Sequence, residues 1–141
     1  MRKKLFRGKS KYDNCWYEGD YRKGWTEKLP FIVELTDDFE IVEHIVIPET
    51  VGQFTGACDV RACDIFEGDV LHYIFERDGL DEKLKTVLVE WSEDYCGFVL
   101  RCGKSMFDNI DMSKSLTSRC YEIIGNVHDN PELLEEVYNN E

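Results

Sequence analysis

The chain has 141 residues, 43% of them hydrophobic and 13% aromatic, and a formal net charge of −12. A folded chain of this length hides roughly two-thirds of its surface, enough for one domain, with or without a small extension, that needs no staples. The apolar content excludes a disordered chain, and the acidic balance argues against a general binder of phosphate backbones.

The charge is unevenly spread. Residues 1–24 hold Arg2, Lys3, Lys4, Arg7, Lys9, Lys11, Arg22 and Lys23 against Asp13, Glu18 and Asp20, a balance of +5, which leaves −17 on the other 117 residues. The basic segment is a candidate local contact. Cys15, Cys58, Cys63, Cys96, Cys102 and Cys120 form no CxxC pair. The basic N-terminus lacks the apolar stretch of a secretion signal, and no apolar run reaches the ~18 residues of a membrane span. These features predict a protein of the cytoplasm, off the membrane, whose cysteines are free, reduced and buried.

Residues 5–25 space their aromatics (Phe6, Tyr12, Trp16, Tyr17, Tyr21, Trp25) among Gly8, Asp13-Asn14, Gly19 and Gly24. That punctuation predicts a short hairpin with Asp13-Asn14 at its tip. Pro30 opens Phe31–Leu35, where Phe31, Val33 and Leu35 share one face by period-2 alternation. After the turn Thr36-Asp37-Asp38, residues 39–47 read as a longer strand with Phe39, Ile41, Ile45 and Ile47 on one face. Glu43 interrupts that face, which predicts a bulge or an edge position. Pro48 ends the strand and sets the expected boundary, with an N-terminal β extension over 1–47 and the main body over 48–141.

Thr50-Val51-Gly52-Gln53-Phe54-Thr55-Gly56 reads as a polar turn with two glycines, and Glu67-Gly68-Asp69 as a tight corner. Between them Asp59–Cys63 predicts a type I turn started by Asp59. Val70–Phe75 is apolar on both faces except for His72, as for a strand inside a barrel or under a cover. Arg77–Lys85 reads as a charged loop. Val87, Val89 and Trp91 alternate inward, and beyond a hairpin connection at 92–97, Phe98 and Leu100 alternate with Val99 and Arg101. Residues 103–119 read as a loop with at most a helical turn. Tyr121–Val127 is the last strand, with Tyr121 and Ile123 inward. Asn130 as cap, Pro131 at the first helical position and Glu132 at the positive end of the dipole then start a short helix. Its apolar stripe is Leu133, Leu134, Val137 and Tyr138.

As a set, Leu5-Phe6-Arg7-Gly8-Lys9 with Trp16, the stretches Thr50–Gly56 and Ile65–Leu71, and Tyr121–Leu134 resemble the YopX family of phage and prophage proteins. The resemblance covers nearly the whole chain and is strongest over 48–75 and 120–134. It implies a mainly β (α+β) fold: a small SH3-like barrel carrying the N-terminal extension and the short C-terminal helix. Two positions depart from the family. Cys15 stands where the glycine of an Asn-Gly turn is expected, and Asp59–Cys63 replaces a hairpin tip of Asn-Gly type.

Each candidate for chemistry has a plainer competing reading. Asp59, Asp64, Glu67 and Asp69 could ligate a divalent ion, but their spacing matches no calcium loop and favours turn residues. Cys58, Cys63, Cys96 and Cys102 with His72 or His128 are spaced too widely for a structural zinc site. His44 and His72 lie in strands and His128 in a turn, where packing or edge roles outweigh catalysis. Gly52–Gly56 lacks the lysine and helix entry of a phosphate-cradling loop. The mixed Arg/Lys and Tyr/Trp of the N-terminus resembles a single-strand stacking surface in composition only, against an exposed β edge with packed aromatics.

No catalytic, cofactor-binding or metal-binding residue is therefore assigned, no cofactor is expected, and the chain reads as a non-enzyme. The leading expectation is a phage or prophage accessory protein, an oligomerising or partner-binding module in the cytoplasm of the bacterial host. The alternative is an acidic regulator of nucleic-acid transactions that occupies a basic host or phage protein; direct nucleic-acid binding is disfavoured. The basic segment complements the acidic body, and its aromatics exceed what a lone hairpin can bury. A homo-oligomer held partly by residues 1–25 is therefore expected, with Leu133, Leu134, Val137 and Tyr138 as a second candidate patch.

Overall fold

A computed structural model describes residues 5–23, 29–74, 86–103, 109–111 and 121–139. Among the described residues the fold is mainly β: two antiparallel sheets, neither closed into a complete barrel, and one short helix. The chain divides into two compact units, Met1–Phe54 and Thr55–Glu141. The charged segment Arg77–Lys85 lies outside the described residues.

In the first unit, β1 (Phe6–Lys9) and β2 (Trp16–Lys23) form the hairpin expected over 5–25. A second hairpin joins β3 (Pro30–Leu35) to β4 (Ile41–Ile45), and the start of β5 (Gly52–Cys58) pairs with β1. The order is β4-β3-β2-β1-β5, so Glu43 sits in the edge strand it predicted. Past Ile45 the sheet curls. Lys11 donates its N–H to Ile45 O and Ile47 donates to Lys9 O, bringing the end of β1 onto the chain leaving β4. The 3-10 turn Pro48–Thr50 secures this end, because the Thr50 hydroxyl donates to Ile47 O (2.6 Å) and accepts from Lys9 N–H (2.9 Å). The turn expected over Thr50–Gly56 is thus finished by Thr50, and the remainder is strand because β1 offers it a partner.

Register then decides which side faces inward. Phe31 pairs with Ile45, Val33 with Glu43 and Leu35 with Ile41, so the alternation read from sequence does define one face. That face is not the main core. Ile32, paired with His44, is fully buried, as is Val46 two residues further along. By contrast Leu35 is 50% exposed and Ile41 72%. Phe39, expected to begin the strand, is instead a turn residue with φ 61° and is 85% exposed. Gly19 makes the inner packing possible: a Cβ there would stand 2.1 Å from Val33 O. Backbone approach replaces side-chain volume at this point, and sequence alternation cannot register it.

In the second unit, β6 (Asp64–Phe66) precedes β7 (Asp69–Tyr73), β8 (Thr86–Ser92), β9 (Gly97–Arg101), β10 (Asn109–Asp111) and β11 (Tyr121–Asn126). The last five form a sheet in the order β10-β9-β8-β7-β11. Its central strands bury both faces, as the apolar run from Val70 predicted. Leu71, Val87, Val89, Leu100, Tyr121 and Ile65 pack on one side. Val70 and Leu88 point to the other, where Val137, Leu133 and Leu134 of α1 (Leu133–Tyr138) cover them. Each such fully buried side chain stabilises by about 1.5–3 kcal/mol relative to exposure. The helix stripe is largely used inside this unit, although Tyr138 is only half-buried.

Three local expectations change here. Trp91 is 47% exposed rather than inward, its ring set edge-to-face on Phe98 beside the 93–96 turn. Asn109–Asp111, read as loop, is an edge strand on β9; three residues are too few to show periodicity. Asn130 does not cap α1 with its side chain, because Oδ1 accepts from Asn126 N–H (3.3 Å) on the preceding turn.

The hairpin loops share a device. Thr36–Glu40 and Asp59–Cys63 are three-residue loops in which a type I turn is followed by a left-handed residue. Those residues are Phe39 and Ala62, at φ 61° and 64°. Asn14 (φ 59°) and Cys96 (φ 50°) play the same part in the longer loops opened by Ser10 and Ser92. Each serine hydroxyl accepts loop amides, with Tyr12 N–H at 3.1 Å and Tyr95 N–H at 3.4 Å. The left-handed position falls on Asn14, so Cys15 need not be glycine. At the Glu67-Gly68-Asp69 corner Gly68 has φ 92°, donates to Val89 O and accepts from Val127 N–H, both at 2.9 Å.

Candidate functional site

Two of the acidic residues singled out in the sequence, Asp59 and Asp69, accept from backbone amides at turns. Asp59 is buried, and its Oδ1 accepts from the N–H groups of Arg61 and Cys63 (2.9 Å each). Its Oδ2 accepts from Ile123 N–H at 3.1 Å, tying the loop to β11. Asp69, also buried, accepts from Phe66 N–H at 2.8 Å and holds the Gly68 corner. Asp64 receives the Cys58 thiol at 3.4 Å. Buried carboxylates satisfied by amides stabilise a loop and are not free to ligate. Among the described residues no three His, Cys, Asp or Glu side chains gather closely enough to hold a metal ion.

The cysteines correct another expectation. Cys102 is buried and Cys58 half-buried, but Cys15, Cys63 and Cys96 are exposed. All three exposed thiols belong to hairpin loops, where turn geometry rather than packing selects the position. Cys120 lies outside the described residues. His72 is half-buried in β7 and His128 is exposed in the turn after β11.

Several N-terminal aromatics make side-chain pairs within the chain, while Tyr12 is exposed and Trp25 lies outside the described residues. The Arg7 guanidinium lies 4.7 Å from the centre of the Trp16 ring, and Phe6 tilts against Tyr21 at 5.6 Å. Tyr17 stacks on His44 with centroids 3.5 Å apart and planes 9° from parallel. Its hydroxyl donates to Asp13 Oδ2 at 2.6 Å. That bond pushes the Tyr17 phenol up to about 12 and lowers the Asp13 carboxyl below its ordinary value. His44 Nε2 is buried, makes no hydrogen bond among the described residues, and lies 3.8 Å from Glu34 Oε1. Sequence reading missed this cluster, since Tyr17 and His44 meet only through the register of β2, β3 and β4.

Among the described residues, much of the outer face of the β3–β4 hairpin is uncovered. Val33 is buried at its middle and Phe31 and Ile45 are half-buried, with exposure rising through Leu35 and Ile41 to Phe39 at the tip. Asp37, Asp38, Glu40 and Glu43, all exposed, rim these apolar residues. No lysine or arginine occurs from residue 29 to residue 60. Exposed neighbouring apolar side chains with a polar rim mark an interaction surface more often than a packing remnant.

Residues 5–135 match the family model described as YopX protein. The chain belongs to the YopX family. Among solved structures, YopX architecture is matched by the crystal structure of protein EF1440 from Enterococcus faecalis. That match has a TM-score of 0.54 and 21% sequence identity, covering 96% of this chain and 100% of the other. At that identity the likeness concerns the fold alone. No curated protein matches the chain.

Proposed function

We propose that this YopX chain is a phage or prophage accessory protein working as a partner-binding, oligomerising module in the bacterial cytoplasm. The observation that carries the reading is the outer face of the β3–β4 hairpin, where Leu35, Phe39 and Ile41 stand in solvent inside an acidic rim. Phe39 adds weight: a bulky side chain at a left-handed position costs free energy twice, in backbone strain and in exposure. Such a residue is more easily understood if a partner covers it. No helix among the described residues is long and apolar enough to cross a membrane.

The test compares wild-type protein with Phe39→Ser/Ile41→Ser, both sites being exposed enough to change without disturbing the core. Light scattering after size exclusion and affinity capture from bacterial lysate are read together. Loss of self-association, or of a captured partner, in the double variant supports the module. A wild-type chain that stays monomeric and captures the same proteins as its variant would overturn it. The acidic rim also suits a basic DNA-processing protein, and a partner of that class in the captured set would favour the regulatory reading.

A further inference from the structure

We infer that β4 is a self-pairing edge: in two copies these strands run antiparallel about a two-fold axis between their Val42 residues, joining two sheets into one. This rests on the association reading above and names the occupant, a second copy, and the register of the contact.

The hydrogen bonds around β4 show which of its backbone groups are spent. Thr36 N–H donates to Glu40 O (2.8 Å) and Val46 N–H to Pro30 O (3.1 Å), so the even-numbered residues turn their backbone groups to β3. The odd-numbered residues turn theirs the other way, where Ile45 O accepts from Lys11 N–H (3.0 Å) and Ile47 N–H donates to Lys9 O (2.9 Å). Between that contact and the hairpin turn, Ile41 and Glu43 find no neighbouring strand among the described residues, because β4 ends its sheet. Both side chains are exposed there. Edges left open are usually blunted by a proline, a lysine or a bulge. Ile41–Ile45 carries none of these, and its register with β3 is unbroken. In the other sheet the edge strand β11 is closed, since Ile123 N–H donates to Asp59 Oδ2 and Tyr121 O accepts from Val60 N–H. An open row of N–H and C=O groups recognises one thing, an extended strand.

Antiparallel pairing of this edge with itself sets outward-facing residues against outward-facing ones, so the available registers centre on Ile41, Val42 or Glu43. The Ile41-centred register brings Glu43 against the partner's Phe39, whose left-handed turn conformation cannot continue a ladder. The Glu43-centred register opposes the two Glu43 carboxylates directly and needs Ile45 O, already given to Lys11. The Val42-centred register sets Ile41 opposite the partner's Glu43 and uses every free backbone group of Ile41 and Glu43 in both copies. Val42 then meets the partner's Val42, and Ile41 lies diagonal to the partner's Ile41. Glu40 stands opposite the partner's His44, a residue whose Nε2 has no hydrogen bond among the described residues. Any extended strand offers the same backbone groups; the second copy is named because its own side chains fit the edge in this one register. The contact is isologous and closes as a dimer.

The test uses the full-length chain. Glu43→Pro removes an outward N–H and leaves the ladder with β3 intact, a change that edge strands accept. Circular dichroism checks its fold, and by sedimentation it is expected to self-associate at least about tenfold more weakly than wild type. Val42→Cys, in a chain carrying Cys15→Ser, Cys63→Ser and Cys96→Ser at the exposed thiols, reads the register without breaking it. The central pair is a non-hydrogen-bonded one, with Cα atoms about 4.5 Å apart and within disulfide reach. Mild oxidation should give a dimer linked through position 42. In wild type, the amides of Ile41 and Glu43 should be protected from exchange when assembled and released on dilution. A monomeric wild-type mass at tens of micromolar overturns both this inference and self-association itself. If that monomer loses a captured protein on Glu43→Pro, the edge takes a strand of another protein, and the partner-binding reading stands without the self-pairing. Oligomers indifferent to Glu43→Pro leave association standing and overturn the edge contact. Weakened association with no link at position 42 overturns the register.

Discussion

In Thr55–Glu141 the strands β7 and β8 bury both faces, whereas in Met1–Phe54 the strands β3 and β4 turn much of their most apolar face to solvent. Both pairs carry alternating aliphatic residues, so the difference does not lie in composition. In the second unit a helix supplies the cover for one face, with Val137, Leu133 and Leu134 laid on Val70 and Leu88. In the first, the inner face is made by two aliphatic side chains, Ile32 and Val46, a close backbone approach at Gly19 and the Tyr17–His44 stack. The comparison teaches that a period-2 signal identifies residues sharing a face, while the cover that reaches that face decides whether it becomes core or interface.

The sharpest way to break the comparison is to truncate one residue of each kind. Leu71→Ala removes a fully buried side chain from the second unit and should cost about 2–5 kcal/mol by thermal or denaturant melting. Ile41→Ser, on an equally apolar stretch, should change stability by no more than about 0.5 kcal/mol. Equal losses at the two positions would mean that the β3–β4 face is core after all.

Gly19→Ala probes what stands in for side-chain volume in the first unit. The new methyl would meet Val33 O at 2.1 Å, a contact with backbone rather than with a flexible side chain. Separating β2 from β3 should cost about 1–3 kcal/mol, and more if the ladder between them opens. Amide exchange in residues 20–23 and 31–33, the amide-bearing part of the paired stretch, reports it directly. Unchanged exchange would show that the close approach does not hold the strands together.

These contrasts explain what was legible in the chain. The hairpins at 6–23 and 86–101, the last strand, the Gly68 corner and the two-faced burial of Val70–Leu71 were readable because turn chemistry and local alternation determine them. The direction in which Phe31, Val33 and Leu35 face was not, since it depends on Gly19 and on strands distant in sequence. The Asp59 loop was half readable: its type I start follows from the aspartate, but the left-handed Ala62 has no residue-type signal. The Tyr17–His44 stack was invisible for the same reason as the inner face, because each residue is unremarkable without the register.

A smaller effect, of opposite sign, tests the loop device. Ala62 takes φ 64° although its Cβ disfavours that region, and Asp59 fixes the surrounding turn with Arg61 and Cys63 amides. Ala62→Gly should relieve this strain and stabilise the protein by up to about 1 kcal/mol, against the entropy glycine adds to the unfolded chain. A lower melting temperature in the variant would mean that the unfolded-state term dominates, and that the left-handed residue is no liability here.

The smallest expected effect is electrostatic and belongs to the first unit. The Tyr17 hydroxyl donates to Asp13, which raises the phenol from 10.0 to about 12 and lowers the carboxyl from its ordinary 3.8. A raised tyrosine contributes stability that is complete below pH 10.0 and is lost as pH climbs through about 12. A lowered aspartate contributes stability that is present above 3.8 and lost as pH falls through its depressed value. The bond should therefore hold across the whole neutral range and loosen only at the two extremes, keeping the ring stacked on His44 between them. Asp13→Ala removes the acceptor and the charge together, so the Tyr17 titration should move down towards 10.0, read as ultraviolet phenolate absorbance with Tyr17→Phe assigning the transition among the seven tyrosines. If that transition stays where it was, Asp13 does not set it, and the inner aromatic stack of the first unit is held by packing alone.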